Sequence, residues 1–149
     1  LDMNDRRLAK AKEFGADVVM NPGREDVVRR VKDLTGGYGC DIYIEATGHP
    51  SSVTQGLDMI RKMGRFVEFS VFSEPATVDW SIIGDRKELD VLGAHLSPYN
   101  YPPVIRWIGD GSLPTEGVVT HKFPLEKWEE AFRIAKTGED NALKVAIIP

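Results

Sequence analysis

A few positions in the sequence pair a polar side chain, or an unusually small one, with a place where a strand is expected to end. Asp2 stands just ahead of Asn4, a residue type that starts helices. A carboxylate between a strand and a helix can accept both hydroxyls of an adenosine ribose, and it repels a phosphate on that ribose, so it favours NAD over NADP. One aspartate near a helix start is equally an ordinary surface residue. Arg7, in the first turn of the following helix, could lie beside the same ribose or a phosphate, although a solvated helix face accounts for it as well. Arg6 and Arg7 together would suit NADP, whereas Asp2 argues the other way. The turn Ala46-Thr47-Gly48 is small enough to let a flat ring or a sugar approach the backbone. Ser70, and Gly93-Ala94-His95-Leu96 in the next strand, stand at comparable strand ends, where backbone amides and carbonyls could hold a carboxamide. Tight turns alone would explain each of these.

No metal or acid–base constellation is spelled out. His49, His95 and His121 are far apart, with no HxxxH, CxxC or paired carboxylate. A Ser-His-Asp arrangement, a GxSxG elbow and a P-loop are all missing from the sequence. Cys40 is the single cysteine, which excludes an internal disulfide; it reads as a small packing residue at a strand entrance. GxGxxG, the loop on which a doubly wound domain cradles a pyrophosphate, does not occur in the sequence.

The elements that would position these residues alternate in type. Helix formers run from Asp5 to Phe14 with Leu8 and Ala11 on one face, and Gly15 follows. Ala16 to Met20 reads as a strand ending in Asn21-Pro22-Gly23. Val27, Val28, Val31 and Leu34 have helical spacing, closed by Gly36-Gly37. Asp41 to Ala46 is the next strand, followed by a helix with a buried stripe of Val53, Gly56, Leu57 and Ile60 that Gly64 ends. Strands are then expected over Arg65 to Val71 and Leu89 to Leu96. Beyond these lie a short helix opened by Tyr101-Pro102-Pro103, a loop at Gly109 to Pro114, and an extended stretch at Val118 to Phe123. A helix from Leu125 to Lys136 has Leu125, Trp128, Phe132 and Ala135 inward, and Leu143 to Ile148 is a terminal strand.

Strands separated by helices of about ten residues signal right-handed βαβ crossovers, so the fold class is α/β: a doubly wound parallel sheet, Rossmann-like, with a C-terminal helix and strand. The chain opens on Leu1 at what would be the end of a strand, and it is expected to be N-terminally truncated. At 149 residues and 42% hydrophobic it can bury one core of ordinary size. Its 19 basic and 23 acidic side chains are interspersed and leave a net charge of -4, which argues against nucleic acid or a membrane surface as a partner. No stretch approaches the roughly 20 apolar residues that a spanning helix needs. A cytoplasmic protein is the expectation.

The stretch LDMNDRRLAKAKEFGADVVMNP resembles the end of the second strand and the following helix of medium-chain dehydrogenases. GCDIYIEATGHPSSV is similar to the strand and turn of that superfamily, GRFVEFSVF to the next strand, LDVLGAHL to the one after, and THKFPLEKWEEAFRIAKTGEDNALKVAIIP to its C-terminal end. In order, these cover essentially the whole chain. The resemblance is to the zinc-dependent alcohol, sorbitol-like polyol and threonine branch, C-terminal part only.

What the resemblance implies is a coenzyme-binding part of an enzyme that transfers hydride between NAD and a secondary alcohol or polyol, with zinc held outside this chain. It implies that Asp2 binds the adenosine ribose with Arg7 flanking, and that Thr47 and Gly48 border the adenine side. Phe69, Ser70, Val71, Ala94 and Leu96 would surround the nicotinamide, and Lys144 would lie near the pyrophosphate. Ser70 departs from the glycine usual at its position, and Phe69 and Phe72 flank it. No residue of the chain is given a catalytic or metal-binding role. Residues 1–112 would form a partial coenzyme domain and 113–149 a segment returning toward a catalytic domain, in a dimer or tetramer. A zinc-free quinone or enoyl reductase of the same superfamily is the alternative, and a nucleotide-sensing module or a methyltransferase ranks below it.

Overall fold

The computed structural model describes residues 1–96 and 99–149. The chain runs α1 (Asp5–Glu13), α2 (Val27–Leu34), β1 (Cys40–Glu45), α3 (Pro50–Met59), β2 (Ile60–Glu68), β3 (Asp90–Gly93), α4 (Tyr101–Gly109), β4 (Val119–Pro124), α5 (Trp128–Thr137) and β5 (Lys144–Ile148). These elements divide between two compact units, Met20–Pro98 and Leu1–Val19 with Tyr99–Pro149. The alternation of strand and helix, and the parallel pairing of every strand pair described, agree with the expected α/β class.

In the unit Met20–Pro98, three parallel strands lie in the order β1-β2-β3. Tyr43 pairs with Phe66 and Glu45 with Glu68, and on the other side Phe66 pairs with Val91 and Glu68 with Gly93. The three strands therefore reach their carboxyl ends together. Two small apolar clusters hold the unit. Met20, Val27 and Met59 gather Val28, Val31, Cys40 and Tyr43; Leu57, Ile60 and Phe66 gather Tyr43, Val53 and Leu89 among others. Cys40 is thus a packing residue, and burial pushes its thiol up. Helix α3 approaches β1 closely because Gly56 has no side chain: a Cβ there would lie 2.3 Å from the Tyr43 ring.

The helix expected to reach Gly64 stops at Met59, and Ile60 opens β2. The cause is Lys87, whose ammonium donates to the carbonyls of Leu57, of Ile60 at 2.7 Å and of Asp58 at 3.4 Å. Carbonyls turned onto a cation satisfy the open end of the helix and complement its negative pole. Met63 then takes a left-handed backbone, φ 54°, and the β1–β2 register shifts between Cys40 and Ile42. Ala16 to Met20, expected as a strand, joins no ladder among the described residues. A strand exists only by pairing, and β-branched residues alone do not supply a partner.

In the other unit, α1 starts at Asn4, whose side chain accepts the Arg6 amide at 2.9 Å and the Arg7 amide at 3.4 Å. Strands β4 and β5 pair in parallel, with α5 as their crossover. The helix presents Ala131 and Ile134 to its interior, while Leu125, Trp128, Phe132 and Ala135, expected inward, are exposed. Trp128 and Phe132 meet edge to face on that outer surface. The apolar pattern spans more than one helical stripe, and the small Ala131 marks the stripe that can sit close to the strands. Gly138, at φ 69°, caps α5 by donating to the Ile134 carbonyl.

Candidate functional site

The carboxyl ends of β1, β2 and β3 are stitched to one another. The Phe69 amide donates to the Glu45 carbonyl at 3.0 Å, and the Ala94 amide to the Glu68 carbonyl at 2.8 Å. The Ser70 hydroxyl reaches the Glu45 carbonyl at 3.3 Å, and its amide donates to the Glu68 carboxylate at 2.7 Å. Gly48 sits at φ 71° directly against the next strand end, where a Cβ would fall 2.5 Å from the Val71 carbonyl oxygen. Thr47, Gly48, Phe69, Ser70, Val71 and Ala94 are therefore brought together along one edge of the sheet. Val71 is 92% exposed, and Phe69 and Leu96 are also exposed. Leu96 lies two residues past Ala94 with a left-handed backbone, φ 51°.

Behind this edge sits a residue that received no role from the sequence. Glu45 is fully buried, and among the described residues its carboxylate is met by neutral donors. Its carboxylate accepts from the Thr47 amide at 2.9 Å, the Thr47 hydroxyl at 2.6 Å, the Gly48 amide at 3.2 Å and the Ser52 hydroxyl at 2.5 Å. Burial pushes its carboxyl upward, but the donated hydrogen bonds of Ser52, Thr47 and Ser70 outweigh that and hold it down at about 2. The available signal was the order of types: an acidic residue closing an apolar strand, with Thr at i+2, Gly at i+3 and Ser at i+7.

The unit Leu1–Val19 with Tyr99–Pro149 holds the remaining candidates. Asp2 accepts the Asn4 amide on one oxygen at 2.8 Å, and its other oxygen lies 3.7 Å from the Arg7 guanidinium. Arg7 borders a cavity of about 310 Å³ that Asn4, Arg6, Lys10 and Glu13 of the same helical segment also line, opposite Gly117, Thr120 and Asn141 to Leu143. Lys10 is paired with Glu13 at 2.6 Å. Three cations, Arg6, Arg7 and Lys10, and one carboxylate, Glu13, give the wall a net positive charge, suited to an anionic ligand. Lys144 is exposed at the start of β5, next to the lining residue Leu143, and its carbonyl accepts the Thr120 hydroxyl at 3.1 Å.

Residues 1–110 match the family described as zinc-binding dehydrogenase. The chain belongs to that family. As a zinc-binding dehydrogenase chain, it is 50% identical over 149 residues to the erythritol/L-threitol dehydrogenase of Mycolicibacterium smegmatis, matching all of this chain and 41% of that protein. It is 36% identical over 143 residues to the D-arabitol-phosphate dehydrogenase of Enterococcus avium, matching 95% of this chain and 40% of that one. Among solved structures, an alcohol dehydrogenase from E. coli CFT073 complexed with NADH superposes with a TM-score of 0.86 at 28% identity, over 97% of this chain and 42% of its own. The chain thus spans about two-fifths of the length of the curated relatives it matches.

The donor sets answer differently to the two groups such a family implies. A carboxylate steadied by a backbone amide and facing an arginine suits a ribose diol next to a phosphate, so the residues present fit the adenosine end of NAD. Among the described residues, no group of three or more His, Cys, Asp or Glu side chains is placed to hold a metal ion. No helix of the described residues is long and apolar enough to cross a membrane.

Proposed function

We propose that this chain is the coenzyme-holding part of an NAD-dependent dehydrogenase acting on a small secondary alcohol, a polyol, and that zinc ligands of the protein lie outside these 149 residues. The observation that carries the reading is the Asp2 carboxylate, held by the Asn4 amide and faced by Arg7 at the wall of a basic cavity. Bound NAD supplies a hydride acceptor for the carbinol carbon. The residues of this chain bind and orient it. Asp2 takes the ribose hydroxyls and Arg7 lies beside them. Thr47 and Gly48 border the adenine side; Phe69, Ser70, Val71, Ala94 and Leu96 border the nicotinamide; Lys144 lies toward the pyrophosphate. Residues 1–112 then form the coenzyme domain and 113–149 a segment returning toward a catalytic domain, and the protein works as a dimer or tetramer.

A four-carbon polyol is the first substrate to test, because the relative at 50% identity is named for erythritol and L-threitol. The assay follows NADH formation at 340 nm from NAD with the intact gene product carrying this chain, offered erythritol, threitol, sorbitol and arabitol. NADH formation with at least one polyol is expected, whereas the 149 residues alone are expected to bind NAD weakly and give no turnover. Absence of NADH formation from the intact product with every polyol and simple secondary alcohol would overturn the reading, as would turnover by the 149 residues alone.

A further inference from the structure

Glu45 is the only fully buried acidic residue among the described residues, and its position is costly. A carboxylate removed from water without a cation must be balanced by donors alone. The donors on its carboxylate are neutral: the Thr47 amide and hydroxyl, the Gly48 amide, and the Ser52 and Ser70 hydroxyls. A strand-to-helix turn that needed only closing could use a short Asx or Ser side chain at its surface. The charge here does something more specific, because the residue has two ends. Its carboxylate fixes Thr47 and Gly48, while its carbonyl accepts from the Phe69 amide at 3.0 Å and the Ser70 hydroxyl at 3.3 Å. One residue thus sets the spacing of two neighbouring strand ends, and Gly48 is held against the Val71 carbonyl where no Cβ fits.

We propose that Glu45 is a positioning residue for the coenzyme, fixing the strand-end turns at Thr47–Gly48 and Phe69–Val71 in their binding geometry before the ligand arrives. This rests on the coenzyme reading above, in which the first turn borders the adenine side and the second the nicotinamide. Pre-arranged backbone raises affinity by removing the ordering cost from the binding step. The role also predicts how the closest isostere fails. In Glu45→Gln the amide oxygen can keep Thr47 and Ser52. Its NH2 group then replaces one of the two oxygens that share the Gly48 amide, each at 3.2 Å, so the amide keeps one acceptor and meets a donor on the other side. The hold on Gly48 is weakened, and the effect is felt at Val71, against which Gly48 sits.

The test uses the intact gene product, as wild type, Glu45→Gln, Ser52→Ala and Val27→Ala. The last lies in the apolar cluster with Met20 and Met59, away from the turns. Each variant is titrated with NADH and with ADP-ribose, the nicotinamide emission on binding is recorded, and the melting temperature is measured. Glu45→Gln is expected to weaken NADH about tenfold and to change the bound nicotinamide emission, while Val27→Ala lowers the melting temperature at least as much with NADH affinity within about twofold of wild type. If Glu45→Gln does not fold, Ser52→Ala carries the comparison, with an expected loss of about threefold in NADH affinity. Wild-type affinity and emission in whichever of the two variants is read would overturn the proposal. So would equal losses of affinity in Val27→Ala. A wild-type protein that binds neither NADH nor ADP-ribose would instead sink the coenzyme reading on which the proposal stands.

Discussion

Asp2 and Glu45 are both carboxylates beside a strand end, and their surroundings give them different work. Asp2 is half-buried, keeps one oxygen on the Asn4 amide and turns the other toward Arg7, so it remains open to a ligand. Glu45 is closed in, and its effect is on the fold. Its carboxyl, held at about 2 against an ordinary 4.5, stabilises the folded state fully above pH 4.5, and that contribution is lost as pH falls from 4.5 through about 2. Chemical denaturation across that window is expected to show wild type losing about 2 kcal/mol more than Glu45→Gln. Parallel pH profiles for the two would contradict the assignment. At neutral pH, Glu45→Gln should cost about 2 kcal/mol of stability, the scale of a buried group left badly paired. Asp2, Arg7, Thr47 and Gly48 were singled out in the sequence because each stands next to an element boundary. Glu45 was not, because its partners come from the turn and from the first turn of α3, and its burial follows only once both have folded over it.

At the scale of elements, Asn4 was read as the start of α1 and does cap it; the structure adds Asp26, whose carboxylate accepts the Arg29 amide at 3.0 Å at the start of α2, and Gly138 at the end of α5. What could not be read was set by contacts distant in sequence. The junction of α3 with β2 depends on Lys87, about thirty residues downstream, and no local pattern announces it. Lys87→Met should therefore leave the strands in place while loosening the last turn of α3, costing about 1–2 kcal/mol in denaturant unfolding with faster amide exchange at Asp58 to Ile60. Wild-type exchange there would contradict that role. Gly56→Ala tests the packing of α3 on β1: a Cβ 2.3 Å from the Tyr43 ring must push ring or helix aside. A loss of about 1–3 kcal/mol is expected, with Tyr43→Phe at the same site milder because it removes only the bond to the Ser52 carbonyl. The face of α5 was misread for a different reason. Large aromatics dominate a hydrophobic pattern, whereas Ala131 determines how closely the helix can lie.

At the scale of the whole molecule, the fold class was legible because parallel α/β order is written in alternation, and the family because its signatures recur in sequence order along the full chain. The strand expected at Ala16 to Met20 shows the limit, since pairing belongs to the assembled sheet and not to the segment. The chain has a sheet whose three strand ends finish level, and a basic cavity bordered by Arg7, the residue that faces Asp2. On the proposed reading Asp2 selects NAD, and the ratio of dissociation constants for NADPH and NADH checks it most directly. It is measured by nicotinamide fluorescence with the intact gene product, as wild type and as Asp2→Ala. Wild type is expected to favour NADH by at least about tenfold, and Asp2→Ala to bring the ratio toward one by losing the ribose contact and the repulsion of a 2′-phosphate together. A wild-type ratio at or below one, or a ratio that Asp2→Ala leaves unchanged, would contradict it.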